Sequence, residues 1–342
     1  MKNNSRPLPA WKKLLFVGST LTLLGGSLNL AWNTNVLGPD SLCRDVASAA
    51  QIQRTFGHTG RLVDTNATEI PRRDSSPQEF RCTVKQTTKL LGREEGHLRL
   101  EGSQDPPGYR FPSLNTGRST ETSFFSGRST GAVSDYTGWI ILPESCWKGS
   151  AKESGAYVVE AGATGGELKR IELARLLVDA ANHVSRRAGC AAGALTAPAE
   201  LQAPAKPQHT DFTKVCGIDG FSVPPIKSSR QGTPRETTRP LTDPIWACDL
   251  FLDDSRGPYA SFTVARDRLL VSAARKKTHG SVNNELVTSC AGNDTYFAMN
   301  GSAQYRRMAA RTDGAALPDE RSLFVSFVKA AGKSLGCGSI TP

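Results

Sequence analysis

The sequence contains no C-x-x-C motif, although it carries eight cysteines in 342 residues. No two of its five histidines (His58, His97, His183, His209 and His279) stand at a metal-ligand spacing. Structural zinc needs thiolates a few residues apart and catalytic zinc needs clustered ligands, so no metal site and no cofactor are expected. Aromatic residues make up only 7%, and the basic residues are scattered rather than set in a stripe with aromatics. The footprint of a nucleic-acid binder is missing, and no nucleic-acid partner is expected. No cysteine follows the longest apolar run closely enough to carry a lipid, which excludes a lipoprotein.

What the chain does contain begins with a charged N-terminus and an apolar run. The formal net charge is +10, and Lys2, Arg6, Lys12 and Lys13 lie ahead of residues 14–32. That run, LLFVGSTLTLLGGSLNLAW, holds no charge. A helix of that length spans roughly 28 Å, close to the hydrocarbon thickness of a bilayer. With Lys12 and Lys13 on its N-terminal side, the positive-inside rule leaves residues 1–13 in the cytoplasm and the rest outside. Two readings stand: a signal anchor that stays in the membrane, and a secretory signal removed by cleavage. Cleavage after Ala31 puts Asn29 where a small residue is needed, which favours the anchor. Both readings export the remaining chain. Its scattered positive charge reads as a solubility feature, with attraction to anionic envelope polymers or phospholipid surfaces as the second reading.

Cys43, Cys82, Cys146, Cys190, Cys216, Cys248, Cys290 and Cys337 all fall after the apolar run. An even number confined to an exported segment reads as a disulfide framework. The first four and the last four repeat one order of contexts. Cys82 and Cys248 lie in strand-like stretches, each followed by a second strand, at 97–102 and at 259–266. Cys146 and Cys290 come next, then a third strand from Ala156 and from Thr295. Each half closes with an amphipathic helix that runs into Gly-Cys. Leu173, Leu176, Leu177, Ala180 and Val184 form one apolar stripe; Phe324, Phe327, Val328, Ala331 and Leu335 repeat its spacing. Gly189 and Gly336 stand where a helix ends in the left-handed conformation. The middle interval differs, 64 residues from Cys82 to Cys146 against 42 from Cys248 to Cys290. An insertion at 103–138, rich in Ser, Thr, Gly and Pro, accounts for the excess.

The expected fold class is α+β: two similar disulfide-tied modules, each a small antiparallel sheet covered by a C-terminal helix, behind one N-terminal transmembrane helix. The expected domains are a cytoplasmic N-terminus (1–13), a transmembrane signal anchor (14–32), module 1 (33–190), an Ala/Pro linker (191–211) and module 2 (212–342). Four cysteines per module allow three pairings. The preferred one is Cys43–Cys82, Cys146–Cys190, Cys216–Cys248 and Cys290–Cys337. Each bond then closes a loop of about 30–50 residues, a size at which closure stabilises by roughly 3–4 kcal/mol.

The opening Pro39-Asp40-Ser41-Leu42-Cys43, a short helix ending at Gly57, and Phe80-Arg81-Cys82-Thr83-Val84 in a strand together resemble a family of exported actinobacterial domains of unknown function. Those domains, often carried on lipoproteins, tend to open Asp-Pro-Cys and to place Cys-Thr-Trp on a strand. Here Pro39 and Asp40 precede the cysteine in another arrangement, Val84 stands in place of the Trp, and the lipobox is absent. The resemblance covers residues 39–84 and, more faintly, 214–250. It implies an extracytoplasmic, disulfide-tied role in ligand binding or sensing, with no catalytic residues to carry over.

A search for chemistry ends without a constellation. Gly127-Arg128-Ser129-Thr130-Gly131 fits G-x-S-x-G but lies in the insertion, ten residues after a second Gly-Arg-Ser-Thr at Gly117. Ser145 to Lys148 and Ser326 to Lys329 fit S-x-x-K without the companion motifs in order. Arg275-Lys276-Lys277 reads as a solvated basic turn. Trp147 and Trp246, close to cysteines, read as packing on disulfides, with surface binding as the second reading. No catalytic, cofactor-binding or metal residue is assigned. The expected function is a membrane-anchored extracytoplasmic tandem-module protein with a binding or sensor-like role, not an enzyme. Its partner is an envelope ligand or a membrane protein. The alternative is a cell-envelope hydrolase with a site between the modules, or a structural envelope spacer. The insertion and the groove between modules are the expected places for function.

Overall fold

Two antiparallel sheets, each backed by one of the long helices, organise the chain. The computed structural model describes residues 34–70, 79–88, 93–104, 121–147, 155–190, 193–225, 232–252, 257–278, 284–310 and 317–340. The apolar run at 14–32 lies outside them. No helix among the described residues is long and apolar enough to cross a membrane.

In the first half, a hairpin of β1 (Ser41–Leu42) and β2 (Ala47–Ser48) leads into α1 (Ala49–Phe56). Then come β3 (Arg61–Ile70), β4 (Glu79–Thr88), β5 (Arg93–Gln104), β6 (Ser123–Phe125), β7 (Thr130–Val133), β8 (Thr137–Ile141), β9 (Tyr157–Thr164) and α2 (Arg170–Arg187). The sheet order is β3-β4-β5-β9-β8-β7-β6. The second half runs β10 (Gln208–His209), β11 (Pro234–Thr238), β12 (Ile245–Leu252), β13 (Ala260–Ala265), α3 (Arg268–Thr278), β14 (Glu285–Cys290), β15 (Asn293–Gly301), α4 (Ala303–Ala309) and α5 (Glu320–Ser334). Its sheet order is β10-β11-β12-β13-β15-β14. The α+β class and the antiparallel sheets are as the sequence predicts.

Helix α2 forms because its apolar positions recur at helical spacing, and Leu173, Leu176, Leu177, Ala180 and Val184 are all buried. In α5, Phe324, Phe327, Val328 and Ala331 are buried likewise. Phe327 is the hub of that core, within ring contact of Phe221, Trp246, Phe262 and Phe297. Both helices stop in the same way. The N–H of Gly189 (φ 67°) bonds Arg186 O, and that of Cys190 bonds Ser185 O at 3.0 Å. The N–H of Gly336 (φ 69°) bonds Lys333 O, and that of Cys337 bonds Gly332 O at 2.8 Å. This is the Schellman ending, with glycine in the left-handed position and a cysteine next.

The disulfides join Cys43–Cys82, Cys146–Cys190, Cys216–Cys248 and Cys290–Cys337, the pairing preferred from the sequence. Cys43 and Cys216 share a further geometry that their neighbours in sequence do not announce. Both have positive φ, 56° and 60°. Each donates its N–H to a carboxylate on the strand that follows, Cys43 to Asp64 at 2.8 Å and Cys216 to Glu236 at 3.0 Å. Asp64 pairs with Val84, two residues past Cys82; Glu236 pairs with Leu250, two residues past Cys248.

Several elements go beyond the expected helix–strand–strand–strand–helix plan. Strands β3 and β11 flank the cysteine-bearing strands β4 and β12, β8 pairs with β9, and α3 and α4 are extra helices. Arg275-Lys276-Lys277 is not a solvated turn but part of the last turns of α3. The insertion contributes β6, β7 and the start of β8 to the sheet edge.

Glycine is the residue that makes the two helix ends possible. A Cβ at Gly189 meets nothing within 4 Å, and at Gly336 only an ordinary contact with Ala291. Gly189→Ala and Gly336→Ala should each lower stability by about 1 kcal/mol in urea titrations, from left-handed strain alone. Leu177→Ala, which opens a cavity in the helix–sheet core, should cost about 3 kcal/mol.

Candidate functional site

Two places gather polar side chains: the junction of the two halves, and a cavity in the second half. The junction is a packed interface rather than an open groove. Leu270, Val271, Ala273 and Ala274 of α3 belong to the core that holds Trp139 and Ile141 of β8. Ile245, Ala265 and Tyr296 of the second sheet join the same core. Their neighbours Trp246, Val264 and Phe297 point to the opposite face and pack with α5. Alternation along each strand thus splits the second sheet between two cores.

Polar contacts tie the junction. Asp267 caps α3 by accepting the Leu270 N–H at 3.0 Å, and Thr130 Oγ1 donates to both of its carboxylate oxygens, each at 3.0 Å. Arg239, just past β11, is buried; it donates to Thr122 O and to Gln202 Oε1, both at 2.8 Å. Its own carbonyl accepts the Trp246 indole N–H. Ser123 Oγ donates to Gln202 O, and Arg170 donates to Asp135 through Nε and Nη2 and to Ser123 through Nη1. Residues of the expected linker are held too. Asn182 brackets Leu195 with both atoms of its amide, and Ser129 Oγ donates to Thr196 O at 2.6 Å.

Burial sets the charge states here. Asp267 has its pKa raised by burial, partly offset by the Leu270 N–H and the Thr130 hydroxyl. Burial lowers Arg239, with Asp243 acting the other way. Hydrogen bonding from Arg170 lowers Asp135. Glu236 is raised by burial against the donors Cys216 N–H and Gln208.

The second place is a cavity of about 530 Å³ between α4, the first turn of α5 and the start of β14. Asn284, Tyr305, Arg306, Ala309, Ala310, Asp319, Glu320 and Arg321 line it. Arg306 bonds Glu320 at 3.0 Å and Gly301 O at 2.9 Å. Asp319 caps α5 through the Ser322 N–H. Tyr305 donates to Pro318 O; burial, with Glu320 and Asp319 close by, pushes its hydroxyl well above the usual range, so it stays a donor. Asn284 is buried with φ 75°, and its Oδ1 has no partner among the described residues. Such a volume falls within the range of small-molecule sites.

The structure brings the eight cysteines together in pairs. Ser129 and Ser145 spend their hydroxyls on backbone carbonyls, Thr196 and Cys190. Among the described residues no group of His, Cys, Asp and Glu could hold a metal. Trp147 and Trp246 are core residues whose indole N–H groups bond Leu142 O and Arg239 O, so neither forms a binding surface. Sequence reasoning missed Arg239, Asp267 and Asn284. Asp267 had a signal: an Asp directly before a stretch with helical apolar spacing is an N-cap pattern. Arg239 and Asn284 had none, because their partners are distant in sequence. No family model, curated protein or solved structure matches this chain.

Arg239→Met should cost about 3 kcal/mol in urea titrations, since it removes the charged donors that reach from the second half to Thr122 O and Gln202 Oε1. For Asp267 the folded pKa is raised, so the unfolded state releases its proton first as pH rises. Stability therefore falls from about pH 4 up through the folded value, and Asp267→Asn should flatten that fall in a stability–pH profile. Asp135 acts in the opposite sense: its contribution is present above its unfolded pKa and is lost as pH drops through the lowered folded value.

Proposed function

We propose that this chain is a membrane-anchored extracytoplasmic binding protein, built from a duplicated disulfide-tied module, that takes a small ligand in the cavity of its second module. The observation that carries the binding reading is that cavity. It is walled by Tyr305, Ala309 and Ala310, and both signs of charge line it, in Arg306, Arg321, Asp319 and Glu320. A balanced lining of this kind suits a zwitterion of short-peptide size better than a simple anion. Four disulfides support an oxidising location, and with the uncharged run at 14–32 they favour export behind an anchor.

Three observations support duplication. The strand orders β3-β4-β5-β9-β8 and β11-β12-β13-β15-β14 follow the same path. The first cysteine of each half has positive φ and gives its N–H to a strand carboxylate in the same register. Each half ends in a Gly-Cys Schellman turn closed by a disulfide. In this reading the insertion and α3 occupy one topological slot, the connection before the penultimate strand, and both have been turned to docking. A catalytic role has no such support, because the polar groups of the junction are engaged in holding it together.

Calorimetric titration of the full chain with a set of di- and tripeptides tests the binding reading. Saturable one-to-one binding is expected, weakened about tenfold or more in Arg306→Ala, a loss of ~1.4 kcal/mol. Absence of binding by every peptide to the intact chain rejects the cavity as a peptide site.

A further inference from the structure

Among the described residues the exposed large apolar side chains are not spread over the surface. They are Val36 (67% exposed), Leu37 (79%), Val63 (45%) and Tyr136 (49%). All four lie at one end of the first sheet. Asn35 accepts the Leu62 N–H at 3.1 Å, which sets Val36 and Leu37 beside the start of β3. Val63 begins a row across the sheet that continues through Lys85, His97 and Thr164. Tyr136, in the β7–β8 turn, accepts the Ala163 N–H at 2.7 Å and so stands at the far side of that row. The end is about 19 Å wide, four strand spacings from β3 to β8.

Isolated exposed apolar residues are unremarkable, but a set confined to one end marks a contact surface. Two cations edge it, with one carboxylate between the tyrosine and α2: Glu167, exposed, accepts the Tyr136 hydroxyl at 3.1 Å. Arg61 opens β3 beside Asn35, and Lys169 precedes α2; both are exposed. Lys169 donates its N–H to Thr55 O, and Leu168 donates to Asp135 O, which puts Lys169 near Tyr136. Aliphatic side chains, a tyrosine with a polar tip, and flanking Arg and Lys are the chemistry of a membrane interface. The chain itself supplies the direction. The uncharged run ends at Trp32, only four residues before Val36.

We infer that this end of the first module rests on the headgroup layer of an anionic bilayer, with Val36, Leu37, Val63 and Tyr136 at the lipid surface and Arg61 and Lys169 facing the headgroups. The inference builds on the proposed anchor and adds a second, folded contact to it. One attachment alone leaves a module free to tumble. A second one fixes which face of the sheet and which end of each helix look away from the membrane.

Tyr136 makes the test sharp, because a hundred residues separate it from the anchor. The full chain is reconstituted in phosphatidylcholine–phosphatidylglycerol vesicles that carry a phospholipid with a photoactivatable diazirine near its headgroup. Cross-linked peptides are then mapped by mass spectrometry. Adducts are expected on peptides containing Val63 and Tyr136, and Tyr136→Ser should lower the yield at its own peptide about tenfold. Replacing phosphatidylglycerol with phosphatidylcholine should lower the yield at both peptides. A chain that floats with the vesicles but carries adducts only on residues 1–37, or mainly on the second module, overturns this surface and leaves the anchor standing. A chain that does not float overturns both.

Discussion

Strands β12 and β13 are buried along their whole length, on both faces. A strand in that position needs cover on two sides, and the helix α5 provides only one. The second face has to be covered by something else in the chain, and the junction is the result. Helix α3 and the strands β7 and β8 fill that space, Asp267 and Thr130 meet across it, and Arg239 is drawn in because its carbonyl and its guanidinium serve opposite halves. Away from the junction, the first sheet is under no such demand. Its strands β4 and β5 carry Arg81, Lys85, Arg99 and Glu101 on the open side, the usual alternation of a half-solvated sheet. The two halves therefore solve the same problem unequally, and the inequality holds them together.

Much of this was legible in the residues. The stripes of α2 and α5, the glycine at each helix end and the sequential disulfides all follow from local patterns that need no knowledge of the partner element. The cores of the strands were readable for the same reason. What stayed hidden depended on distant contacts. Strand β11, with Pro234, Arg235 and Glu236, has a composition that argues against a strand; pairing with β12 and the hydrogen bonds to Glu236 override it. Helix α3 was obscured by its basic end, which drew attention away from the N-cap and the apolar spacing ahead of it. Arg239 could not be told from any surface arginine, since its acceptors Thr122 and Gln202 lie 117 and 37 residues away. Of the cavity, only Asp319 as a helix cap had a local signature.

The buried and half-buried carboxylates do structural work. Glu236 and Asp64 each hold the backbone N–H of a cysteine whose φ is positive. A left-handed residue without glycine costs about 1–2 kcal/mol, and a charge-assisted bond to its N–H offsets a similar amount. An acidic residue at such a place is spent on backbone geometry. The same holds for Asp267, which completes a helix start and a contact between halves. Glu236, Asp64 and Asp267 thus each answer a local structural need.

The order of the disulfides has a consequence for assembly. The cysteines bond in consecutive pairs along the chain, at separations of 39, 44, 32 and 47 residues, and no bond crosses from one half to the other. When residues emerge in sequence, each thiol meets its native partner before any competing one has appeared. An oxidant acting on the growing chain therefore makes the correct bonds in turn, without a shuffling step, and the first half is covalently complete before the second has begun.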